Sequence, residues 1–341
     1  MGKQILLVGG SLNQTKMMHK VAAYLGEHDC FFSPFFDDGL LGDLSQNGWL
    51  DFTILGGQHR RNSEAYMNQN GLAVDFGGRS RSYDLVITGT DLIVPKRFAG
   101  QRMVLIQEGM MEPEGAVYQL VRALRLPRFL ANTAATGLSN AYDLFCVASP
   151  GYRDIFIRKG IRPEKIAITG IPNFDDVQSF CKNDFPLHHF VLAATSSHRE
   201  TFHFDNREAF IRRAQAIAKG RTLIFKLHPN ENIFRARREI LQIAPEALIY
   251  ESGNINPMIA NCDVLVTQTS SVTFIGLALG KEVYSDLDLA ELKRLIPIQN
   301  KGASASLIAD QCQKLLLTPA HHSYHPVSTS PVYSQSRAGT D

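Results

Sequence analysis

The sequence predicts an α/β protein with two Rossmann-like domains, each built on a mainly parallel sheet. Short apolar runs alternate with amphipathic stretches of helical period along most of the chain, which is the pattern of repeated strand–helix–strand units. This alternation is interrupted once, near residues 173–186, where prolines, acids and asparagines replace it. With 341 residues, of which 44% are hydrophobic, the chain has enough apolar material for two cores.

Residues 1–175 are predicted to form an N-terminal domain. Residues 5–8 make its first strand, Gly9-Gly10-Ser11 the following turn, and residues 14–25 a helix with Met17, Met18 and Val21 on one face. Further strands are expected at residues 31–36, 52–55, 85–88, 103–106 and 143–148. Short apolar runs of this kind are typical of parallel strands, because such strands are covered on both faces.

Residues 186–318 are predicted to form a C-terminal domain of the same kind. Its strands are expected at residues 190–194, 222–227, 247–250, 264–267 and 282–285, and its helices at 207–218, 234–243, 272–279 and 306–317. Residues 319–341 are rich in Pro, Ser, Thr and His, and we expect them to form a polar tail.

Charge and cysteine usage exclude several classes of protein. The 35 basic and 33 acidic residues leave a net charge of +2, which is too small to attract nucleic acid, so no nucleic-acid partner is expected. The five cysteines show no CxxC spacing and indicate neither a disulfide framework nor a zinc site. No signal-like or membrane-spanning segment is evident, so we predict a cytoplasmic protein that can contact the inner membrane peripherally.

Polar residues follow two apolar runs of the C-terminal half, at the points where each strand gives way to a helix. They are His228-Pro229 and Thr269-Ser270-Ser271. The carboxyl ends of parallel strands present backbone N–H groups and polar side chains to ligands, and phosphate is the ligand they suit best. We therefore predict a phosphate site, while noting that a histidine before proline can simply close a strand and that one serine can be a plain helix cap.

Glu108 stands just past the strand at residues 103–106 and is the candidate general base. Transfer to a hydroxyl requires a group that takes up its proton, and a carboxylate at the cleft can do so. His228 is the matching candidate for bonding or protonating the departing phosphate. A turn or capping carboxylate is the alternative interpretation of Glu108.

Five further positions complete the predicted site. His198 and Arg199 follow the first strand of the second domain and are expected to contact phosphate or sugar, with a surface ion pair as the alternative. Asp91 ends a strand and is expected to bind acceptor hydroxyls, or else to cap. Gly10 and Ser11 are expected to let a substrate approach the backbone, or to form only a tight turn. No acidic pair suggests a metal site, so we predict neither a metal nor another cofactor.

Several segments resemble the two-domain sugar-nucleotide enzymes of the GT-B superfamily. In the first domain these are residues 143–149, 160–166 and 169–175, which resemble its last strands and turns. In the second domain they are residues 261–266 and 280–283, which resemble the donor-site strand and the end of its helix. The resemblance implies two sheets that face each other across a cleft, with the acceptor on the side of residues 1–175 and the nucleotide sugar bound by residues 186–318.

One branch of that superfamily, the bacterial transferases that use cytidine-activated donors, resembles this chain at three ordered motifs. They are Gln107-Glu108-Gly109, His228-Pro229 and Ser270-Ser271. This resemblance implies a glycosyltransferase that takes a sugar from a nucleotide-activated donor.

A second branch, the non-hydrolysing UDP-N-acetylglucosamine 2-epimerases, resembles the chain at residues 58–60, 91, 108–109 and 198–202. Those enzymes also use an arginine in the first turn, acids before Ala-Asn, and a ribose-binding carboxylate on the last donor-site helix. Here the first turn is Gly10-Ser11-Leu12-Asn13, Arg128-Phe129-Leu130 precedes Ala131-Asn132, and the helix carries Phe274-Ile275.

These departures favour a transferase over an epimerase. We predict a glycosyltransferase of surface polysaccharide or glycolipid biosynthesis, with a nucleotide sugar and a carbohydrate or lipid-linked acceptor as its partners. A homodimer is compatible with the sequence. An epimerase and a non-catalytic nucleotide-sugar-binding protein are the alternatives that we carry forward.

Overall fold

Two parallel sheets, one in each half of the chain, form the framework of the computed structural model, which describes residues 2–34, 57–98, 100–112, 114–201 and 204–318. The first sheet has the order β2-β1-β3-β4-β5-β6, and all its described pairings are parallel. Its strands are β1 (Gln4–Val8), β2 (Asp29–Ser33), β3 (Leu85–Thr88), β4 (Met103–Ile106), β5 (Leu144–Val147) and β6 (Ile166–Ile168).

The second sheet has the order β11-β10-β7-β8-β9 and is also parallel. Its strands are β7 (Val191–Ala194), β8 (Leu223–Lys226), β9 (Leu248–Tyr250), β10 (Val264–Thr267) and β11 (Glu282–Tyr284). The chain runs from β7 outward to β9 and then returns to the other side of β7 with β10. The sheet therefore has a reversal point between β7 and β10, where the loops after the two strands lead away from each other.

Ten described helices cover the two sheets. They are α1 (Leu12–Ala22), α2 (Gly57–Gln69), α3 (Ala116–Leu124), α4 (Pro150–Arg158), α5 (Arg207–Ala218), α6 (Ile233–Ile243), α7 (Ile255–Asn261), α8 (Val272–Ala278), α9 (Leu289–Leu295) and α10 (Ser304–Leu317). None of the described helices is both long and apolar enough to cross a membrane.

The sequence predicted most of these elements, and their bounds agree with the structure for β3, β4, β10 and α5. All four residues of each of these strands are buried, as continuous apolar runs of a parallel sheet should be. The predicted strand at 52–55 and the predicted tail at 319–341 lie outside the described residues.

The last helix crosses from the second half of the chain back to the first. Ile308, Ala309 and Cys312 of α10 are fully buried in one cluster with side chains of β1 and α1. Asp175 accepts a hydrogen bond from the backbone N–H of Ser304 at 2.7 Å, and Arg102 donates to the carbonyl of Leu315, also at 2.7 Å. Although the sequence placed this helix in the C-terminal domain (186–318), it packs as part of the N-terminal one.

A second contact between the domains joins α4 to α9. Gly151 lies so close to the carbonyl oxygen of Arg294 that an added Cβ atom would stand 2.2 Å from it. The Ser149 hydroxyl donates to the carbonyl of Leu295 at 3.3 Å. A pocket of about 280 Å³ opens between the two domains beside this contact, with Met110 and Tyr152 on one side and Leu292 on the other.

Candidate functional site

A crevice opens at the reversal point of the second sheet. Its pocket of about 350 Å³ is lined by residues that follow β7 and β10 and by the first turns of α5, among them His198, Asn206, Arg213, Gln268 and Thr269. The His198 ring nitrogen Nε2 lies 2.6 Å from the Thr269 hydroxyl, so the two strand ends meet through these side chains. Ligands of open α/β sheets bind at such a reversal point, outside the carboxyl ends of the strands.

A buried ion network lies beneath this crevice. Arg207, only 4% exposed, contacts Asp205 at 2.8 Å and Glu231 at 2.9 Å, and donates to the carbonyl of Ser196 at 2.8 Å. Burial alone would raise the pKa of Asp205, but the hydrogen bond from Gln268 and the charge of Arg207 hold it below its usual value. The network therefore keeps a carboxylate ionised in the interior and fixes the loop after β7.

Glu231 links this network to His228. Its Oε2 atom accepts the backbone N–H of His228 at 3.1 Å and also the hydroxyl hydrogen of Thr195. Burial raises the pKa of Glu231, although Arg207 and these donors oppose the shift. Because Thr195 follows β7 and His228 follows β8, this one carboxylate ties two neighbouring strand ends together.

The His228 ring is half-buried, and hydrogen bonding sets its tautomer. Its Nδ1 atom accepts the backbone N–H of Asn230 at 3.2 Å, so the neutral ring carries its hydrogen on Nε2. Such a ring donates from Nε2, and after protonation it adds a positive charge. This is the chemistry expected of a group that binds phosphate.

Ser270 and Ser271 lie at the N-terminal end of α8, where the sequence predicted the start of a helix. The Ser270 hydroxyl accepts the backbone N–H of Val272 at 3.5 Å, whereas the Ser271 side chain makes no capping hydrogen bond. Helix α8 spans seven residues, which is too short for its N-terminus to serve as an anion site by itself. The hydroxyls of Thr269, Ser270 and Ser271 are therefore the candidate groups for contacting an anion here.

Glu108 lies at the carboxyl edge of the first sheet, half-buried, and is held by the turn after β1. The Ser11 hydroxyl donates to its Oε1 at 3.0 Å, and the Gln14 side-chain amide donates to its Oε2 at 2.5 Å. Gln14 also accepts the backbone N–H of Gly10 at 2.6 Å. Side chains from the start of α1, Ser11 at its N-cap and Gln14 in its first turn, thus orient both carboxylate oxygens.

Gln14 was missed by the sequence reasoning, although the sequence contains a signal for it. Ser11-Leu12-Asn13-Gln14 has the S-x-x-Q spacing of a capping box, in which the residues at both ends supply hydrogen bonds at a helix start. The Ser11 hydroxyl indeed accepts the backbone N–H of Gln14 at 3.2 Å. Gly9 serves the tight turn, since an added Cβ would lie 2.8 Å from atoms of Thr15.

Two of the predicted site residues have structural partners instead. Asp91 is fully buried, and its two oxygens accept the backbone N–H groups of Gly137 and Ser139, each at 2.9 Å. Arg199 forms a two-pronged contact with Glu239 at 2.9 and 2.8 Å. Arg199 is therefore held in a largely buried ion pair, and Asp91 holds the loop that contains Gly137 and Ser139.

The other predicted residues follow strands at the carboxyl edges of the two sheets. Ser11 and Glu108 are hydrogen-bonded at the first edge, beside Gly10. At the second edge His198 and Thr269 contact each other and line the crevice, while His228 follows β8 and Ser270 and Ser271 follow β10. Among the residues that the structure describes, no group of three or more His, Cys, Asp or Glu side chains could hold a metal ion.

Solved structures of the same architecture include sugar-nucleotide epimerases and a polymerase. UDP-GlcNAc 2-epimerase from Neisseria meningitidis, solved bound to UDP-GlcNAc, is 14% identical, with a TM-score of 0.58 over 91% of this chain and 99% of that one. Staphylococcus aureus MnaA, solved with UDP, is 11% identical, with a TM-score of 0.56 over 96% and 100% of the two chains.

The wall teichoic acid polymerase TagF is a third such structure. A histidine variant soaked with CDPG is 13% identical to this chain, with a TM-score of 0.50 over 92% of this chain and 89% of that one. No protein-family model and no curated protein matches the chain. These likenesses confirm the predicted α/β fold of the GT-B class.

Proposed function

We propose that this protein is a GT-B glycosyltransferase that moves a sugar from a nucleotide-activated donor to a hydroxyl acceptor in surface polysaccharide or glycolipid biosynthesis. The observation that carries the proposal is Glu108, a half-buried carboxylate that Ser11 and Gln14 hold in one orientation at a sheet edge. A carboxylate fixed in this way can take a proton from an acceptor without first reorganising.

The reaction assigns a task to the residues at each of the two sheet edges. The acceptor hydroxyl oxygen forms a bond to the anomeric carbon while the bond from that carbon to the donor phosphate breaks. The acceptor proton passes to Glu108, and the departing phosphate keeps the electron pair. His228 and the hydroxyls of Thr269 and Ser270 donate hydrogen bonds to that phosphate as its charge develops.

The donor site follows from the crevice between β7 and β10. His198 and Thr269 line it, and Asn206 offers an amide group for the nucleoside or sugar, whereas the Gln268 amide is engaged by Asp205 and Ser196. The neighbours solved with UDP-GlcNAc, UDP and CDPG support a nucleotide ligand on this fold. The predicted independence of metal remains part of the proposal, with EDTA treatment as its test.

The environment of α8 favours transferase over epimerase chemistry. The resemblance to 2-epimerases calls for a ribose-binding carboxylate on this helix, and here Phe274 is 1% exposed and packs edge-on against Tyr152 of the other domain at 6.3 Å. The epimerase resemblance also implies an arginine in the first turn. Here that turn carries Ser11, whose hydroxyl donates a hydrogen bond to Glu108.

Replacing Glu108 with Gln tests the assignment of the base. The amide keeps the size of the side chain but cannot accept the proton, so acceptor-dependent turnover should fall about a hundredfold or more, while donor affinity changes little. Turnover is measured as release of nucleotide from a panel of CMP-, CDP-, UDP- and GDP-activated donors with sugar and lipid-linked acceptors.

The matched control is Glu208→Gln, since Glu208 is exposed on α5 and pairs with the equally exposed Arg212 one turn later. This variant should retain wild-type turnover. Wild-type turnover by Glu108→Gln would remove Glu108 as the base. Donor binding by the wild type without turnover on any acceptor would instead support the non-catalytic alternative.

A further inference from the structure

The connection between β4 and β5 carries an unusual concentration of exposed apolar side chains. Val117 is 58% exposed, Leu120 53% and Leu124 61%, and all three lie on one face of α3 at helical spacing. Leu126, Phe129 and Leu130 continue this exposure beyond the helix. We call these six residues the β4–β5 surface. Because they are grouped within 14 positions rather than scattered, they mark an interaction site.

The core of the domain does not account for this surface. The adjacent face of α3 carries Tyr118 and Val121, which are buried in one cluster with Ala131 and Ala134 of the following 3-10 helix. The segment therefore already has its own small core on the inside. The six residues of the β4–β5 surface lie outside this small core, and their apolar side chains are exposed to solvent.

The charges within the segment that carries the β4–β5 surface are all positive, while Glu114, just before it, pairs with Lys159 at 3.6 Å. Residues 115–142 contain three arginines, Arg122, Arg125 and Arg128, and no acid. Arg122 and Arg125 are exposed beside the apolar residues, and Arg128 is half-buried. A leucine-rich face bordered by arginines is the composition that binds the interface of anionic membranes.

We propose that the β4–β5 surface docks this protein on an anionic lipid membrane. A second copy of the chain fits the surface less well, because a symmetric contact would place the same arginines of both copies against each other. The lipid interface instead supplies both an apolar layer for the leucines and negative headgroups for Arg122 and Arg125.

The β4–β5 surface lies close in the chain to Glu108, and docking through it would therefore serve the proposed reaction. Glu108 follows β4, and the chain then reaches α3 through Met110 and Met111, with the backbone N–H of Glu112 bonded to the Thr133 hydroxyl at 3.0 Å. Docking would thus bring the carboxyl edge that holds Glu108 near the lipid, where a lipid-linked acceptor lies. This last step rests on the proposed function, whereas membrane binding itself does not.

Vesicle flotation with the full-length protein tests the proposal. The wild type should float with phosphatidylcholine vesicles that contain about 30% phosphatidylglycerol, and much less with pure phosphatidylcholine or at high salt. Leu120→Gln with Leu124→Gln should lower the bound fraction at least about tenfold, because these leucines supply the inserted area. Arg122→Gln with Arg125→Gln should remove most of the preference for anionic vesicles.

The matched control is Phe234→Gln with Leu241→Gln, which removes two exposed apolar side chains from α6 of the other domain. This control should float like the wild type. Failure of the wild type to bind anionic vesicles at low salt would overturn the proposal, as would equal flotation of the leucine variant and the wild type. A concentration-dependent dimer that the leucine changes abolish would assign the surface to a second copy and overturn it too. Flotation needs no turnover, so its failure is distinct from failure of the transferase proposal.

Discussion

At the scale of single residues, the phosphate side of the site depends on His228. Hydrogen bonds to both the backbone and the ring hold this residue: its backbone N–H donates to Thr195 and Glu231, its carbonyl accepts from the N–H of Glu231, and its Nδ1 accepts from the N–H of Asn230. The ring is therefore presented with a defined tautomer, and its contribution to binding can be isolated by a substitution that keeps the turn.

His228→Asn should weaken nucleotide binding by about tenfold or more, since a hydrogen bond to a charged group contributes roughly 1.5 to 3 kcal/mol. Asparagine retains an acceptor for the N–H of Asn230, so the turn should persist. Calorimetric titration with CMP, CDP, UDP and GDP measures the effect. The control is His189→Asn, because the His189 side chain is 85% exposed and its left-handed backbone suits asparagine. Unchanged affinity in a folded His228 variant would exclude the ring from the site.

At the scale of elements, an ion pair joins two helical segments of the second domain. Arg199, in the 3-10 helix after β7, contacts Glu239 on α6, which follows β8. The hydrogen bond from Arg199 holds the pKa of Glu239 below its usual value of 4.5. The pair therefore stabilises the folded state above that value, and this contribution is lost as the pH falls through the lowered pKa of the folded state.

Glu239→Gln should reduce the free energy of unfolding by about 1.5 kcal/mol at pH 7, because both groups are three-quarters buried or more. The difference from the wild type should shrink as the pH is lowered from 7 toward 3.5. Urea unfolding at several pH values gives both quantities. Glu208→Gln, which breaks an exposed pair on α5, should change stability by less than about 0.5 kcal/mol. A Glu239 effect that stays constant with pH would refute this electrostatic account.

The strands and helices differ in how clearly the sequence predicts them. Buried strands such as β3 and β10 were predicted because their apolar residues are continuous, and α5 because its period is clear. In contrast, α2 was not predicted, since His59, Arg60 and Arg61 are also compatible with a solvated basic turn. Its sequence lacks an apolar period that would mark a helix, and Arg60 instead pairs with Glu64 one turn later.

At the scale of the whole molecule, the sequence predicted two sheets and their carboxyl edges but not every contact across them. The Ser11–Glu108 pair could be placed at one edge because each residue ends a predicted strand or its turn. The contacts that bury Asp91 and the pairing of Arg199 with Glu239 join residues 40 or more positions apart, and local patterns do not encode such partners. The return of α10 to the first domain was missed for the same reason.

The central claim is that this fold transfers a sugar to an acceptor with Glu108 as base. The most direct measurement is NMR of a nucleotide sugar incubated with wild-type protein in deuterium oxide, with and without an acceptor. A transferase should form a new glycosidic product only when acceptor is present, and should leave the hydrogen on the second carbon of the sugar in place. Glu108→Gln should abolish that product signal. Acceptor-independent deuterium incorporation at the second carbon would contradict the transferase account and establish epimerase chemistry instead.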